Sequence, residues 1–394
     1  MNNSARINGF DALRTIAMWL GIVLHSIIVY KVVPEPNWPH DPGTKSYLLD
    51  WLYSYIHTFR MPLFFMVAGF FAHLVIARSG VDYFVKQRFK RIVIPFIVGV
   101  CIIVPLSLLP FSIYKFYYLQ NMNTAETWKN SLRQLFKWNG LAHLWFLYYL
   151  IIFYVFSLGF IFIFKKQLNK LKETLSIYIT NISFAKLLIA CLFLLFIFFI
   201  NKTSIPGVYT GIKPSLTYFL YYGFFFALGW ILQINVKSVE SLKKNSWLLF
   251  FIGTSLSAIL FFKGSTFTGP VHYLTMSLQI ISLIAGFTGL FIRYFNTENK
   301  VWRYCSDATY WVYLVHLSLV VSFQVILLNS PIYFWFRLPI VLIAAFSISL
   351  LSYHFFVRFT VIGEFLHGKR SRQHSKDTRQ VNIPPGQNKK GESI

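Results

Sequence analysis

Charge is scarce in this 394-residue chain, and negative charge is scarcer still: charged residues make up 13%, with 13 Asp+Glu against 37 Lys+Arg. Soluble domains carry about 25% charged residues, so a chain that is 56% hydrophobic and 20% aromatic cannot cover a water-facing surface. That excludes a soluble globular fold, and it excludes disorder everywhere except at the C-terminus. A net charge of +24 raises nucleic acid as a partner, but the bases stand between long apolar runs rather than on one polar face. Cysteine is equally thin. Cys101 and Cys191 fall inside apolar runs and Cys305 in a short polar gap, so no pair has zinc spacing and no connection holds two thiols. No metal and no redox chemistry is expected.

What the chain does have is long apolar runs. About 20 residues cross roughly 30 Å of hydrocarbon, and runs of that kind number about ten: 12–33, 51–77, 92–109, 143–164, 184–200, 215–234, 247–262, 271–292, 308–328 and 333–357. The first is longer than a signal-peptide core and lacks a small-residue cleavage site, so it reads as a membrane span. The expected fold is all-α: a polytopic integral membrane domain over 1–360 and a basic, disordered tail over 361–394. Of the 37 basic residues, 26 lie in alternate connections that include both ends of the chain. The positive-inside rule then places both termini in the cytoplasm of a multi-pass protein, as an even number of spans requires. The tail could grip anionic lipid headgroups or serve only to fix this orientation.

The Asp and Glu residues map to connections or span ends, whereas a proton- or sodium-coupled transporter usually needs an acid within its spans. The spans contain His and Arg instead. Arg14 and His25 are eleven residues apart, which on a helix leaves them about 20° apart in azimuth and about 16 Å apart in depth. His57 and Arg60 share a face at i, i+3, at about 9 and 14 Å below the outer surface when counted from Trp51. His25, His57 and Arg60 thus converge on one depth. His316 also falls at mid-membrane and His143 at the outer boundary. Each has a plainer reading, as an interhelical strut for a histidine or as a snorkelling arginine for Arg60, and Arg88 and Arg91 serve topology in any case. A histidine at mid-depth suits removal of a hydroxyl proton. An arginine beside it suits an oxyanion or a carboxylated acyl group, and Arg14, Arg88 and Arg91 suit a phosphate-rich donor such as coenzyme A.

Six motifs carry a resemblance to a known family. Phe10-Asp11-Ala12-Leu13-Arg14, ten residues, then His25 is similar to the first-helix signature of the membrane acyltransferase type 3 family. Phe64-Phe65-Met66-Val67-Ala68-Gly69 resembles its second-helix motif, with Ala68 where a Ser is common, and Arg88-Phe89-Lys90-Arg91 resembles its basic pair. Ile56 to Met61, His143-Leu144-Trp145-Phe146-Leu147 and Tyr313-Leu314-Val315-His316 are similar to the branch of glucan biosynthesis protein C, a periplasmic glucan succinyltransferase. The resemblance implies ten spans in a bacterial inner membrane and no tightly bound cofactor. It implies O-acyl transfer from cytoplasmic acyl-CoA, with a succinyl or acetyl group, to a hydroxyl of a periplasmic or cell-envelope glycan. His25 is then the expected base with Arg14 as its companion, Arg60 and His57 orient the acyl carbonyl, Arg88 and Arg91 bind the donor, and His143, Trp145 and His316 line the substrate site. The alternatives are a transporter or flippase of a saccharide or acyl donor, which forms no bond, and a scaffold of a glycan-assembly complex.

Overall fold

In hydrocarbon no water can satisfy a backbone amide, so apolar runs of this length must close their hydrogen bonds within helices. The computed structural model describes residues 8–41, 43–138, 140–204, 209–297 and 299–368, and among them there is no β-strand. The helices that build the bundle are α1 (Asn8–Ile27), α2 (Tyr47–Arg88), α3 (89–119), α4 (Thr124–Leu135), α5 (Trp145–Ile163), α6 (Phe184–Asn201), α7 (Leu216–Ile234), α8 (Ser246–Lys263), α9 (Gly269–Tyr294), α10 (Lys300–Leu327), α11 (Phe334–Ser352) and α12 (Val361–His367). Caps set some of these ends. The Ser46 hydroxyl accepts from the Leu49 amide at the start of α2, and the Asn299 side chain accepts from Val301 at the start of α10.

Nine helical stretches among the described residues are long and apolar enough to cross a membrane, and one of them, Tyr47–Leu119, runs for 73 residues. It is two crossings. At 1.5 Å per residue a straight helix of that length would measure roughly 110 Å, and Gly80 breaks it with φ 82° and ψ 170°, a conformation that residues with a Cβ rarely adopt. The chain then returns. His40, just before α2 begins, donates its backbone N–H to the Tyr114 hydroxyl near the end of α3 at 3.3 Å, and Trp38 packs edge-on against Phe111 with ring centres 4.9 Å apart. With α2 and α3 counted as the two arms of a hairpin, the stretches of spanning length number ten among the described residues.

α1 is the hub of the bundle and packs against α2, α9, α10 and α11. α9 is buried over most of its surface, whereas α6 and α8 show Phe193, Phe196 and Phe251 to the surroundings. α2 lies closely along α7 because glycines meet backbone: a Cβ on Gly69 would collide with the Phe226 carbonyl, and one on Gly229 with the Met66 carbonyl. At the end where α2 begins, the Arg337 guanidinium donates to Asp41 at 2.7 Å and to the carbonyls of Leu327 and Leu328 at 3.3 and 3.0 Å. That buried ion pair ties α11 and the end of α10 to the connection between α1 and α2.

At the opposite end α12 occupies the first residues of the stretch that composition assigns to a disordered tail. Its Leu366 is buried and its Glu364 pairs with Lys90 at 2.9 Å. The basic residues from Lys369 onward lie outside the described residues.

Candidate functional site

Helix geometry places His25 one turn beyond Gly21 on the same face of α1. The bare face of Gly21 admits the Arg60 side chain from α2: a Cβ there would overlap Arg60 Nη1 and stand 3.8 Å from His316 Nε2. Around this gap the rings gather. His25 and His316 lie 5.4 Å apart between centres, and His316 and His143 also 5.4 Å. His57 is one turn from Tyr53, on which it stacks at 5.7 Å. Three spans and the start of a fourth thus bring His25, His57, Arg60, His143 and His316 together, His143 joining although its position in the sequence put it at the outer boundary.

The hydrogen bonds orient two of these rings. His316 Nδ1 lies 2.7 Å from the Tyr313 carbonyl and His143 Nε2 lies 3.1 Å from the Leu314 carbonyl. A carbonyl only accepts, so each of those nitrogens carries the proton and the opposite nitrogen presents a lone pair. Those opposite nitrogens, His316 Nε2 and His143 Nδ1, are buried without a protein partner among the described residues, as are His25 Nδ1 and Arg60 Nε. Each unmade hydrogen bond costs about 1–3 kcal/mol. Four such atoms fall in this cluster, beside the strut that His143 makes to α10. No three His, Cys, Asp or Glu side chains among the described residues are grouped to hold a metal ion.

His25 is held from the side where α2 begins. Its imidazole stacks on Trp38 with centres 5.3 Å apart and planes at 11°. Gln324 of α10 donates to the His25 carbonyl at 2.8 Å and accepts from the Trp38 indole at 3.2 Å, so one side chain fixes both the end of α1 and the ring covering His25.

On the other side of the cluster lies a cavity of about 550 Å³. Its rim carries Arg14, Arg78, Arg88 and Arg91; its inner wall is Phe64, Ala68, Phe71, Phe146, Tyr154, Tyr310 and Tyr313. The rim therefore suits an anionic group and the wall an apolar one. Arg14 donates to Ser306 Oγ at 2.8 Å and stands 3.7 Å from Asp11. Arg88 lies over the rings of Phe84 and Tyr154 at 5.1 and 5.3 Å. Lys90, between Arg88 and Arg91, is turned to Glu364 instead. Asp11 and His367 both line this cavity, so the two ends of the described chain lie on its side of the bundle.

The site residues expected from sequence thus fall into two groups, Arg14, Arg88 and Arg91 at the rim and the His–Arg60 cluster at depth. Trp145 is placed with other aromatic rings, 5.6 Å from Tyr218 and 5.3 Å from Tyr222. Sequence reasoning gave no role to Gly21, Trp38, Gln324 or Arg78. Of these only Gly21 left a signal, its i, i+4 spacing from His25. Ala68 lies in the cavity wall, so the hydroxyl common at that position in related motifs would face the cavity.

The profile of the acyltransferase domain matches residues 7–354, a range that takes in the cluster and all of the cavity lining except Leu366 and His367. The chain belongs to the acyltransferase type 3 family. As a member it is an acyltransferase and a multi-pass membrane protein. Curated relatives include the glucans biosynthesis protein C of Salmonella heidelberg (strain SL476), 26% identical over 333 residues that cover 79% of this chain and 82% of the relative. That of Escherichia coli O157:H7 (strain EC4115 / EHEC) is 24% identical over 380 residues, 91% of this chain and 94% of the relative. No solved structure matches.

Proposed function

We propose that this acyltransferase is an O-acyltransferase of the bacterial inner membrane, moving a succinyl or acetyl group from cytoplasmic acyl-CoA to a hydroxyl of a periplasmic or cell-envelope glycan. The observation that carries this reading is the pairing of an arginine-rimmed cavity on one side of a chamber with unpartnered histidine lone pairs inside it. Arg14, Arg88 and Arg91, joined by Arg78, hold the donor phosphates, and the donor's acyl end runs along the aromatic wall toward Arg60. His25 removes the proton from the acceptor hydroxyl. Arg60 donates to the acyl carbonyl as negative charge develops on its oxygen, and His57 supports it from the adjacent turn of α2. The names of the relatives support a glucan as acceptor class.

The density of basic residues on the cavity side supports a cytoplasmic position for that side and for both termini. The donor is used and released, so the reading needs no tightly bound cofactor. Against the transporter alternative, the deep cluster gathers histidines and an arginine, and the aspartates of the site, Asp11 and Asp307, line the cavity among its arginines.

The test is the purified protein in detergent with acyl-CoA and envelope oligosaccharide, wild type beside His25→Ala. Wild type should release free CoA thiol and yield acylated glycan, and His25→Ala should lower the rate by at least about 100-fold, the scale of a lost general base. Transport of saccharide in vesicles without thiol release would establish the transporter instead.

A further inference from the structure

A transfer reaction between two sides of a membrane must also return a proton. The acceptor gives up its hydroxyl proton on one side of the chamber, and the donor leaves as a thiolate on the other. His25 lies on the first side, under Trp38 of the connection between α1 and α2. On the second side the cavity wall is formed by Tyr313 rather than by His25. His316 stands between them, its ring centre 5.4 Å from His25 and 6.1 Å from Tyr313.

We propose that His316 is a proton-relay residue, carrying the proton from His25 to the sulfur of the leaving donor; the inference rests on the acyl-transfer reading. Three observations support the relay. His316 is 3% exposed, so the proton it carries is shielded from bulk water. Its Nδ1–H is engaged by the Tyr313 carbonyl at 2.7 Å, which fixes Nε2 as the proton-accepting atom. That Nε2 is buried and unpartnered, and it borders the Gly21 gap into which Arg60 Nη1 also projects. A base lone pair and a guanidinium N–H thus flank the same small space.

In the proposed sequence the acceptor O–H bond breaks and its proton passes to His25, while the oxygen forms the new bond to the acyl carbon. The carbon–sulfur bond breaks with its electron pair left on sulfur. The proton then moves from His25 through His316 Nε2 to that sulfur, giving the free thiol. The acyl group passes from sulfur to oxygen and the proton from oxygen to sulfur, and no further reactant is required. His143, fixed edge-on against His316 by the Leu314 carbonyl, serves to hold the relay ring.

The test compares wild type, His316→Gln and His316→Ala in the purified acyl-CoA and oligosaccharide assay, with acyl-CoA binding measured on each. Glutamine keeps the size and a hydrogen-bond acceptor but cannot carry a proton. His316→Gln should lose at least about 100-fold in kcat with donor affinity unchanged, and added imidazole should raise the His316→Ala rate at least tenfold. Overturning results are a His316→Gln enzyme within threefold of wild type, a His316→Ala enzyme indifferent to imidazole, or variants that lose donor binding together with activity. Wild type that releases no thiol would instead refute the acyl-transfer reading, so the two failures are distinguishable.

Discussion

At the residue scale, the absence of a side chain at Gly21 is as informative as any functional group. Arg60 reaches the histidines only because α1 is bare one turn before His25. Gly21→Ala adds one methyl group in a good helix-forming residue, so the helix itself gains rather than suffers. It should nonetheless force the guanidinium out of the chamber and lower turnover about 100-fold, because removing one oxyanion donor costs about 2.7–4 kcal/mol. Steady-state kinetics beside a thermal melt in detergent checks this: an active Gly21→Ala enzyme would remove Arg60 from the reaction. The histidines and Arg60 were legible in the sequence because a titratable group inside an apolar run is conspicuous by its cost. Trp38 and Gln324 were not. One lies in a proline-rich connection and the other in a span where a glutamine has no periodic signature, and only the fold brings them to His25.

At the scale of elements, apolar length was enough to place the helices of spanning length, since bilayer thickness sets helix length. Their ends and breaks were harder to read. α10 begins at Lys300, eight residues before its apolar run, because the Asn299 cap rather than hydropathy sets the start. The first turns after Thr360 read as tail by composition but form α12, fastened by Lys90–Glu364. On the opposite end the Arg337–Asp41 pair fixes the connection that carries Trp38. Arg337→Ala leaves a buried carboxylate without its partner and should destabilise the protein by about 3–5 kcal/mol. A melting temperature equal to that of wild type would show the pair to be dispensable.

For the whole molecule, the excess of positive charge falls in two places. Most basic residues lie in the connections, where the positive-inside rule expects them to set orientation, while Arg14, Arg78, Arg88 and Arg91 line a cavity on the side of both described ends. Arg60 stands apart from both sets, inside the chamber. Asp11 and Asp307 line the cavity among its arginines, whereas the deeper cluster brings together histidines and Arg60; in the proposed reaction histidine handles the proton and Arg60 meets charge that arrives with a substrate.

If acyl groups pass through this bundle from the arginine-rimmed cavity to the opposite side, an assay with separate compartments reveals it. The protein is reconstituted in sealed vesicles of known orientation, with acyl-CoA supplied only to the side of the arginine-rimmed cavity and oligosaccharide only to the other. Acylated oligosaccharide is expected on the far side and one free CoA thiol per acyl group on the near side, with neither product when the two substrates are exchanged. Acylation that requires both substrates on one side, or none in either arrangement, would contradict transfer through the bundle.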